Sequence, residues 1–249
     1  MADKTALIIL GSGLYELYKE DGSKIVNVTT KYGNTTVTEI KGIGPARTFV
    51  ILRHGSNHTT PPHMINYRAN IQAAKELGVN YIIATASVGA INPKYSVGEY
   101  VLVDQFLDFT KHREFTFFVD PSESFRHTDM THPYSERVRK ALIKAAKTQK
   151  IQKFHTRGTY VCTEGPRFET PAEIRMFRRM GGDVVGMTGV PEVVLANEVG
   201  IEYGTLSQVT NMAAGLQSKI TQSEVEEIMQ KSIQQTKKVI NLALEDLLK

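Results

Sequence analysis

Apolar runs of strand length recur along the chain, at residues 6–10, 48–52, 81–85, 100–103, 158–162, 184–187 and 203–209. Several are continuous instead of alternating, the pattern of strands buried on both faces. Between them, apolar positions at helical spacing fill 65–77, 135–148, 171–180, 191–199 and 223–248. Strands that alternate with helices predict an α/β fold, with a central mixed, largely parallel twisted β-sheet flanked by helices. No repeat, low-complexity segment or Pro/Gly/Ser-rich linker divides the 249 residues, so one domain over 1–249 is expected.

Charge narrows the partners. Lysine and arginine number 30 against 26 acids, a formal net charge of +4 spread along the chain. A nucleic-acid footprint would be a clustered patch or stripe. The nearest approach, Arg175-Met176-Phe177-Arg178-Arg179, reads better as the solvated face of a helix. Small anionic substrates need only one or two placed cations. The single cysteine, Cys162, excludes an internal disulfide framework and any multi-cysteine metal or redox site, and fits a reducing compartment. No apolar run nears the ~18 residues that span a membrane, and the first residues enter a strand without a hydrophobic leader, so a cytoplasmic location is expected.

The unusual residues fall just after the strands, where ligands of α/β sheets gather. They are Gly11-Ser12-Gly13, Arg53-His54-Gly55, Ser87-Val88-Gly89, Met187-Thr188-Gly189 and Thr210-Asn211. Gly11-Ser12-Gly13 could curl backbone N–H groups and a hydroxyl around an anion. It lacks the third glycine of a dinucleotide fingerprint and the Gly-Lys-Ser/Thr of a P-loop, so a plain strand-to-loop turn competes with that reading. Arg53 offers a planar fork suited to phosphate oxygens, and His54 a further donor. His54, His58 and His63 share a loop containing Gly and Pro, where no helix aligns them, which argues against a metal site. The Ala86-Ser87 turn and Thr188 suit close approach of a ligand, and Met187 an apolar sugar face. In Thr163-Glu164-Gly165-Pro166-Arg167-Phe168-Glu169-Thr170, Phe168 could stack on a planar base while Glu169 accepts from ring N–H groups. The competing reading makes Glu169, Thr170 and Glu173 mere partners of a helix N-terminus.

Together these segments resemble the purine nucleoside phosphorylase and 5′-methylthioadenosine phosphorylase family. The resemblance spans nearly the whole chain, and its most specific pieces are Arg53-His54-Gly55, Pro62-His63 with Asn66-Tyr67-Arg68-Ala69-Asn70, Gly158-Thr159-Tyr160-Val161-Cys162, Glu164-Gly165-Pro166-Arg167-Phe168, and Gly186-Met187-Thr188 with Val190-Pro191-Glu192. It implies a single nucleoside phosphorylase domain that phosphorolyses a purine nucleoside to free base and pentose 1-phosphate. It also implies no metal or organic cofactor, inorganic phosphate as co-substrate, and a homotrimer or dimer of trimers. By position, Ser12, Arg53, His54, Ala86, Ser87 and Thr188 would bind phosphate, Met187 the ribose, and Phe168, Glu169 and Asn211 the base. His127, in Arg126-His127-Thr128-Asp129-Met130, matches a histidine that family members lend to a neighbouring subunit's sugar site. The resemblance makes Arg53, His54 and Asn211 the catalytic set.

The chain departs from the methylthioadenosine branch at two positions that bear on substrate. That branch usually has serine where Glu169 stands and aspartate where Asn211 stands. The residues present instead resemble the branch that takes 6-oxopurines, inosine and guanosine, in purine salvage. A third position, Gln222, matches the 5′ end of the sugar, where a polar side chain favours a hydroxyl while Val225 and Ile220 would accept a methylthio group. Phosphorolysis of 5′-methylthioinosine or 5′-methylthioadenosine is therefore the alternative. A nucleoside hydrolase or binding-only relative would share the base pocket but has no need of an anion site beside C1′.

Overall fold

The first strand, β1 (Ala6–Leu10), has every residue buried because it divides its side chains between two core layers, Leu7 and Ile9 on one face and Ala6, Ile8 and Leu10 on the other. The computed structural model describes residues 4–18, 22–41, 43, 46–122 and 124–249. The elements that follow β1 are β2 (Lys24–Thr30), β3 (Gly33–Ile40), β4 (Thr48–Leu52), α1 (Tyr67–Glu76), β5 (Tyr81–Ala90), β6 (Tyr100–Leu102), β7 (Gln105–Phe109), α2 (Glu136–Thr148), β8 (Phe154–His155), β9 (Thr159–Thr163), α3 (Pro171–Arg179), β10 (Val184–Gly186), α4 (Gly189–Glu198), β11 (Glu202–Met212) and α5 (Gln222–Leu247). Among the described residues the strands join in one mixed sheet, in the order β2-β3-β4-β1-β5-β10-β9-β7, with β11 also on β5, β6 on β11 and β8 on β6. Six pairings are parallel and four antiparallel. The predicted α/β class, the mixed and largely parallel sheet and the five predicted helices are all present.

Helices α1 and α4 cover the face that holds Leu7 and Ile9, contributing Ile71, Ala73, Val193 and Ala196. Helices α2 and α5 pack together on the other face through Val138, Leu142, Val239, Ile240 and Leu244. Each fully buried side chain of this size contributes roughly 1.5–3 kcal/mol. A third, smaller cluster seats α3 through Ile174 and Phe177 against Val161 and Val185. Helix starts are chemically specified: Asn66 and Ser135 cap α1 and α2, and Thr170 with Glu173 and Thr221 with Glu224 form capping boxes on α3 and α5. Among the described residues no helix is long and apolar enough to cross a membrane.

Strand β5 creates the opening for a ligand. Residues 81–84 pair with β1, residues 89 and 90 pair with β10, and β11 runs along the opposite side for the full length. Residues 85–88 therefore lie where β1 has ended and β10 has not begun. In β11 the register slips between Val209 and Asn211, a bulge that leaves Thr210 as the extra residue. Side chains alternate across a regular strand, and the bulge breaks that alternation, which lets Thr210 and its neighbour Asn211 line one cavity.

Candidate active site

A cavity of about 550 Å³ occupies the gap beside β5. That is the size of a small-molecule site. All the strand-end segments singled out from sequence reach it: Ser12, Arg53, His54, Ala86, Ser87, Met187, Thr188 and Asn211, together with Phe168, Glu169 and, at the mouth, Gln222.

At the end of the cavity lined by Ser12 and Arg53, Gly11 has to be glycine, because a Cβ there would stand 2.9 Å from both Arg53 Nη1 and the Thr85 carbonyl oxygen. Its N–H donates to Thr85 Oγ1 at 2.9 Å. This fixes the turn that brings Ser12 to the cavity, where Ser12 Oγ lies 3.0 Å from His58 Nε2. The Ser87 hydroxyl is buried without a hydrogen-bond partner among the described residues, so a ligand oxygen can take it. Thr188 precedes α4 but makes no side-chain cap; the Tyr160 hydroxyl instead accepts from the backbone N–H groups of Thr188, at 3.2 Å, and Gly189, at 3.4 Å. A Cβ on Gly186 would fall 2.3 Å from that hydroxyl. Relieved of capping, the Thr188 side chain lines the cavity.

For Arg53 and His54 the structure specifies which groups remain for a ligand. Most of the Arg53 fork is turned to the protein. Nε and Nη2 donate to Glu192 Oε1 and Oε2 at 2.5 and 2.8 Å, and Nη1 donates to the Thr85 carbonyl at 2.8 Å. Three of the five N–H groups are spent, leaving one on each Nη. Burial opposes the charge, but Glu192 more than offsets it, and the guanidinium stays protonated with its pKa raised. His54 does not present its N–H as a donor. Nδ1 lies 2.9 Å from the Thr60 carbonyl, an acceptor only, so Nδ1 carries the proton and Nε2 is left as an acceptor. Burial and the neighbouring Arg53 charge lower the His54 pKa to about 4, which keeps the ring neutral at pH 7.

The end of the cavity lined by Glu169 and Asn211 is equally specified. Glu169 is only 8% exposed and takes a 2.7 Å hydrogen bond from Thr163 Oγ1 on Oε1. It lies outside the capping box of α3, which uses Thr170 and Glu173, while Arg167 is drawn to the Glu173 carboxylate. The helix-terminus reading thus accounts for Thr170 and Glu173 but not for Glu169. Burial raises the Glu169 pKa, with Thr163 opposing the shift. Thr210 Oγ1 donates to Asn211 Oδ1 at 3.0 Å and Asn211 Nδ2 donates to the Met212 carbonyl at 3.0 Å, which fixes the amide's orientation and leaves one N–H and one lone pair. Phe168, 38% exposed, forms part of the wall. Gln222 Nε2 donates to Glu226 at 3.0 Å, and the adjacent apolar wall is Val225.

His127 is not in the cavity of its own chain. It is exposed, edge-on to Phe125 with ring centroids 5.5 Å apart. Among the described residues no three His, Cys, Asp or Glu side chains gather as a set of metal ligands. Cys162 is a free buried thiol raised to about 12 by burial. Sequence reasoning gave Glu192 no role, although the Val190-Pro191-Glu192 motif contains it, and named Tyr160, Thr163 and Thr210 only as members of motifs, with no role of their own. Each of these holds a ligand-facing group without standing out by residue type.

Comparison with known proteins identifies the family. Residues 5–245 match the phosphorylase superfamily. The chain is 48% identical over 244 residues to the 6-oxopurine nucleoside phosphorylase of Pyrococcus furiosus, covering 95% of this chain and 91% of the relative. It is 42% identical to the S-methyl-5′-thioadenosine phosphorylase of Pyrococcus horikoshii, with 95% and 90% covered. The solved structure of methylthioadenosine phosphorylase from Schistosoma mansoni in complex with adenine superposes with a TM-score of 0.90 at 33% identity, over 98% of this chain and 91% of that one. A strand-end cavity built from these motifs, a superfamily match over nearly the whole length and relatives above 40% identity lead to one assignment: the chain belongs to the phosphorylase superfamily, in its purine nucleoside and methylthioadenosine phosphorylase family.

Proposed function

We propose that the protein phosphorolyses 6-oxopurine nucleosides, inosine and guanosine, to the free purine and ribose 1-phosphate in purine salvage. The observation that carries this reading is Glu169, a buried carboxylate lining the same cavity as Asn211 and outside the capping of α3. An ionised Glu169 accepts from the N1–H of a 6-oxopurine but opposes the bare N1 of adenine. The remaining Asn211 N–H donates to O6 while its remaining lone pair accepts from the N7–H that the departing purine gains from solvent.

Cleavage of the bond to the base gives the sugar oxocarbenium character and the purine negative charge. Phosphate would take hydrogen bonds from the Ser12, Ser87 and Thr188 hydroxyls and from the two spare N–H groups of Arg53, with His54 Nε2 accepting from a protonated phosphate oxygen. Because Glu192 balances Arg53, the anion's own charge is left to stabilise the developing cation at C1′, and its oxygen then attacks there with inversion. Asn211 stabilises the departing base, Met187 lies against the ribose, and His127 completes a neighbouring subunit's sugar site in a homotrimer or dimer of trimers. No metal or organic cofactor enters the scheme. A cytoplasmic setting accords with the single buried thiol.

A second reading, phosphorolysis of 5′-methylthioinosine, is favoured by Val225, a buried apolar wall beside a Gln222 amide already occupied by Glu226. It also accords with 45% identity to a probable S-methyl-5′-thioinosine phosphorylase of Methanothermobacter thermautotrophicus. One assay with inosine, guanosine, adenosine, 5′-methylthioinosine and 5′-methylthioadenosine, with and without phosphate, separates these readings. The expected outcome is phosphate-dependent release of ribose 1-phosphate with inosine or guanosine well ahead of adenosine. Free ribose released without phosphate would indicate a hydrolase, and a lead for the 6-aminopurine substrates would overturn the base assignment.

A further inference from the structure

Arg113 lies on the irregular stretch between β7 and α2 and does not line the cavity, yet its side chain is 1% exposed. Its Nη1 donates to the Met187 carbonyl at 2.5 Å and to the Tyr67 hydroxyl at 3.1 Å. Its Nη2 donates to the carbonyls of Glu164, at 2.6 Å, and Thr163, at 3.2 Å. The guanidinium also sits over the Tyr67 ring, 5.4 Å from its centroid, and the Tyr67 hydroxyl donates to the Pro62 carbonyl at 2.8 Å.

Three cavity walls therefore converge on one buried cation. The first is the turn carrying Met187, the second the loop that leads through Pro166 to Phe168 and Glu169, and the third, through Tyr67, is Pro62. Between Met187 and Thr188 a single peptide is held at both ends, its carbonyl by Arg113 and its N–H by the Tyr160 hydroxyl. Thr188 keeps a second anchor in the Tyr160 hydroxyl, whereas Arg113 is the side chain that bonds both the Met187 carbonyl and the Glu164 carbonyl. A planar guanidinium can serve several carbonyls at fixed angles; an ammonium, being a point charge, cannot span them.

We propose that Arg113 is the positioning residue of the nucleoside half of the site, setting the distance between the sugar wall at Met187 and the base wall at Phe168 and Glu169. This rests on the reading of the cavity as a nucleoside and phosphate site. Displacing walls by about 1 Å costs on the order of 10²-fold in turnover even when the altered residue is remote from the reaction.

The test uses the full-length protein with Arg113→Ala and Arg113→Lys, titrated separately with hypoxanthine and with inorganic phosphate by calorimetry and assayed for inosine phosphorolysis. Expected for Arg113→Ala is a loss of ~10²-fold in kcat/KM for inosine with weakened hypoxanthine binding, phosphate affinity within about twofold of the parent, and partial recovery on adding millimolar guanidinium. If the alanine variant does not fold, the lysine variant carries the same split. Parallel loss of hypoxanthine and phosphate binding, or retention of both, would overturn the assignment. Should the parent protein bind adenine in place of hypoxanthine, the substrate reading fails instead, and the same split measured with adenine still judges Arg113.

Discussion

Arg53 and Glu192 form a two-point ion pair whose side chains are 1% and 0% exposed, and the Tyr203 hydroxyl completes it with a 2.8 Å hydrogen bond to Glu192 Oε2. The pair joins the end of β4 to α4, and its arginine lines the cavity. It holds the arginine in place and cancels its charge at the same time.

Removing one member leaves an unpaired buried charge, which costs about 3–5 kcal/mol, while replacing both by apolar residues is often neutral for stability. Glu192→Ala is therefore expected to lower the urea midpoint sharply, and Arg53→Met with Glu192→Leu to restore much of it. The double variant should stay poorly active, with a raised phosphate KM, because the spare Arg53 N–H groups are gone. Parental phosphate kinetics in that folded double variant would remove Arg53 from the anion site.

His54 sets a second, pH-dependent expectation. Burial and Arg53 hold its pKa at about 4, against 6.5 for an unperturbed ring. Between those values the unfolded chain binds a proton that the folded protein excludes, so stability is full above 6.5 and declines as pH falls toward 4. The shift corresponds to roughly 3 kcal/mol. In phosphate-free buffer, His54→Gln should flatten the pH dependence of the urea midpoint across that window. An unchanged slope would mean that other groups carry the acid sensitivity.

The sheet was legible where burial on both faces wrote continuous apolar runs, as in β1, β4, β5 and β11, and the helices where apolar spacing combined with caps such as Ser135 and Thr170. The hairpin β2–β3 was not predicted, because most of its positions are threonine, asparagine or charged residues and few of its positions are buried. Strand β7, with its exposed and half-buried residues, and the two-residue β8 gave equally little periodic signal. In the site, residue type disclosed the ligand-facing groups but not what they were bonded to. A sequence cannot say that Arg53 spends its fork on a glutamate 139 positions away or that His54 turns its N–H to Thr60. Those facts depend on long-range pairing and on loop geometry.

His127 bears on assembly. An exposed histidine edge-on to the 69% exposed Phe125 leaves an apolar and titratable patch on the surface, outside the chain's own cavity. If a second subunit receives it, sedimentation should reveal a trimer or larger closed assembly. His127→Ala should then impair nucleoside turnover without changing phosphate binding. A fully active monomer would defeat the shared-site reading.

The base preference yields the most discriminating expectation, because Glu169 reads the purine through its protonation state. Burial raises its pKa above the ordinary 4.5; above that raised pKa the ionised form accepts from the N1–H of hypoxanthine, and below it the protonated form can donate to the bare N1 of adenine. The ratio of kcat/KM for inosine over adenosine should therefore fall as pH drops through the raised pKa, whereas Glu169→Gln, an amide that either donates or accepts, should hold it flat. A site built on such donors can reject the wrong analogue by up to ~10⁴-fold, since buried polar groups would be left unpaired. Asn211→Asp with Glu169→Ser should move the preference toward 6-aminopurines, as the aspartate accepts from the 6-amino group and the serine removes the carboxylate opposing N1. A parental ratio that is flat with pH, together with a double variant that loses total activity at unchanged ratio, would mean that Glu169 and Asn211 shape the cavity without reading the base.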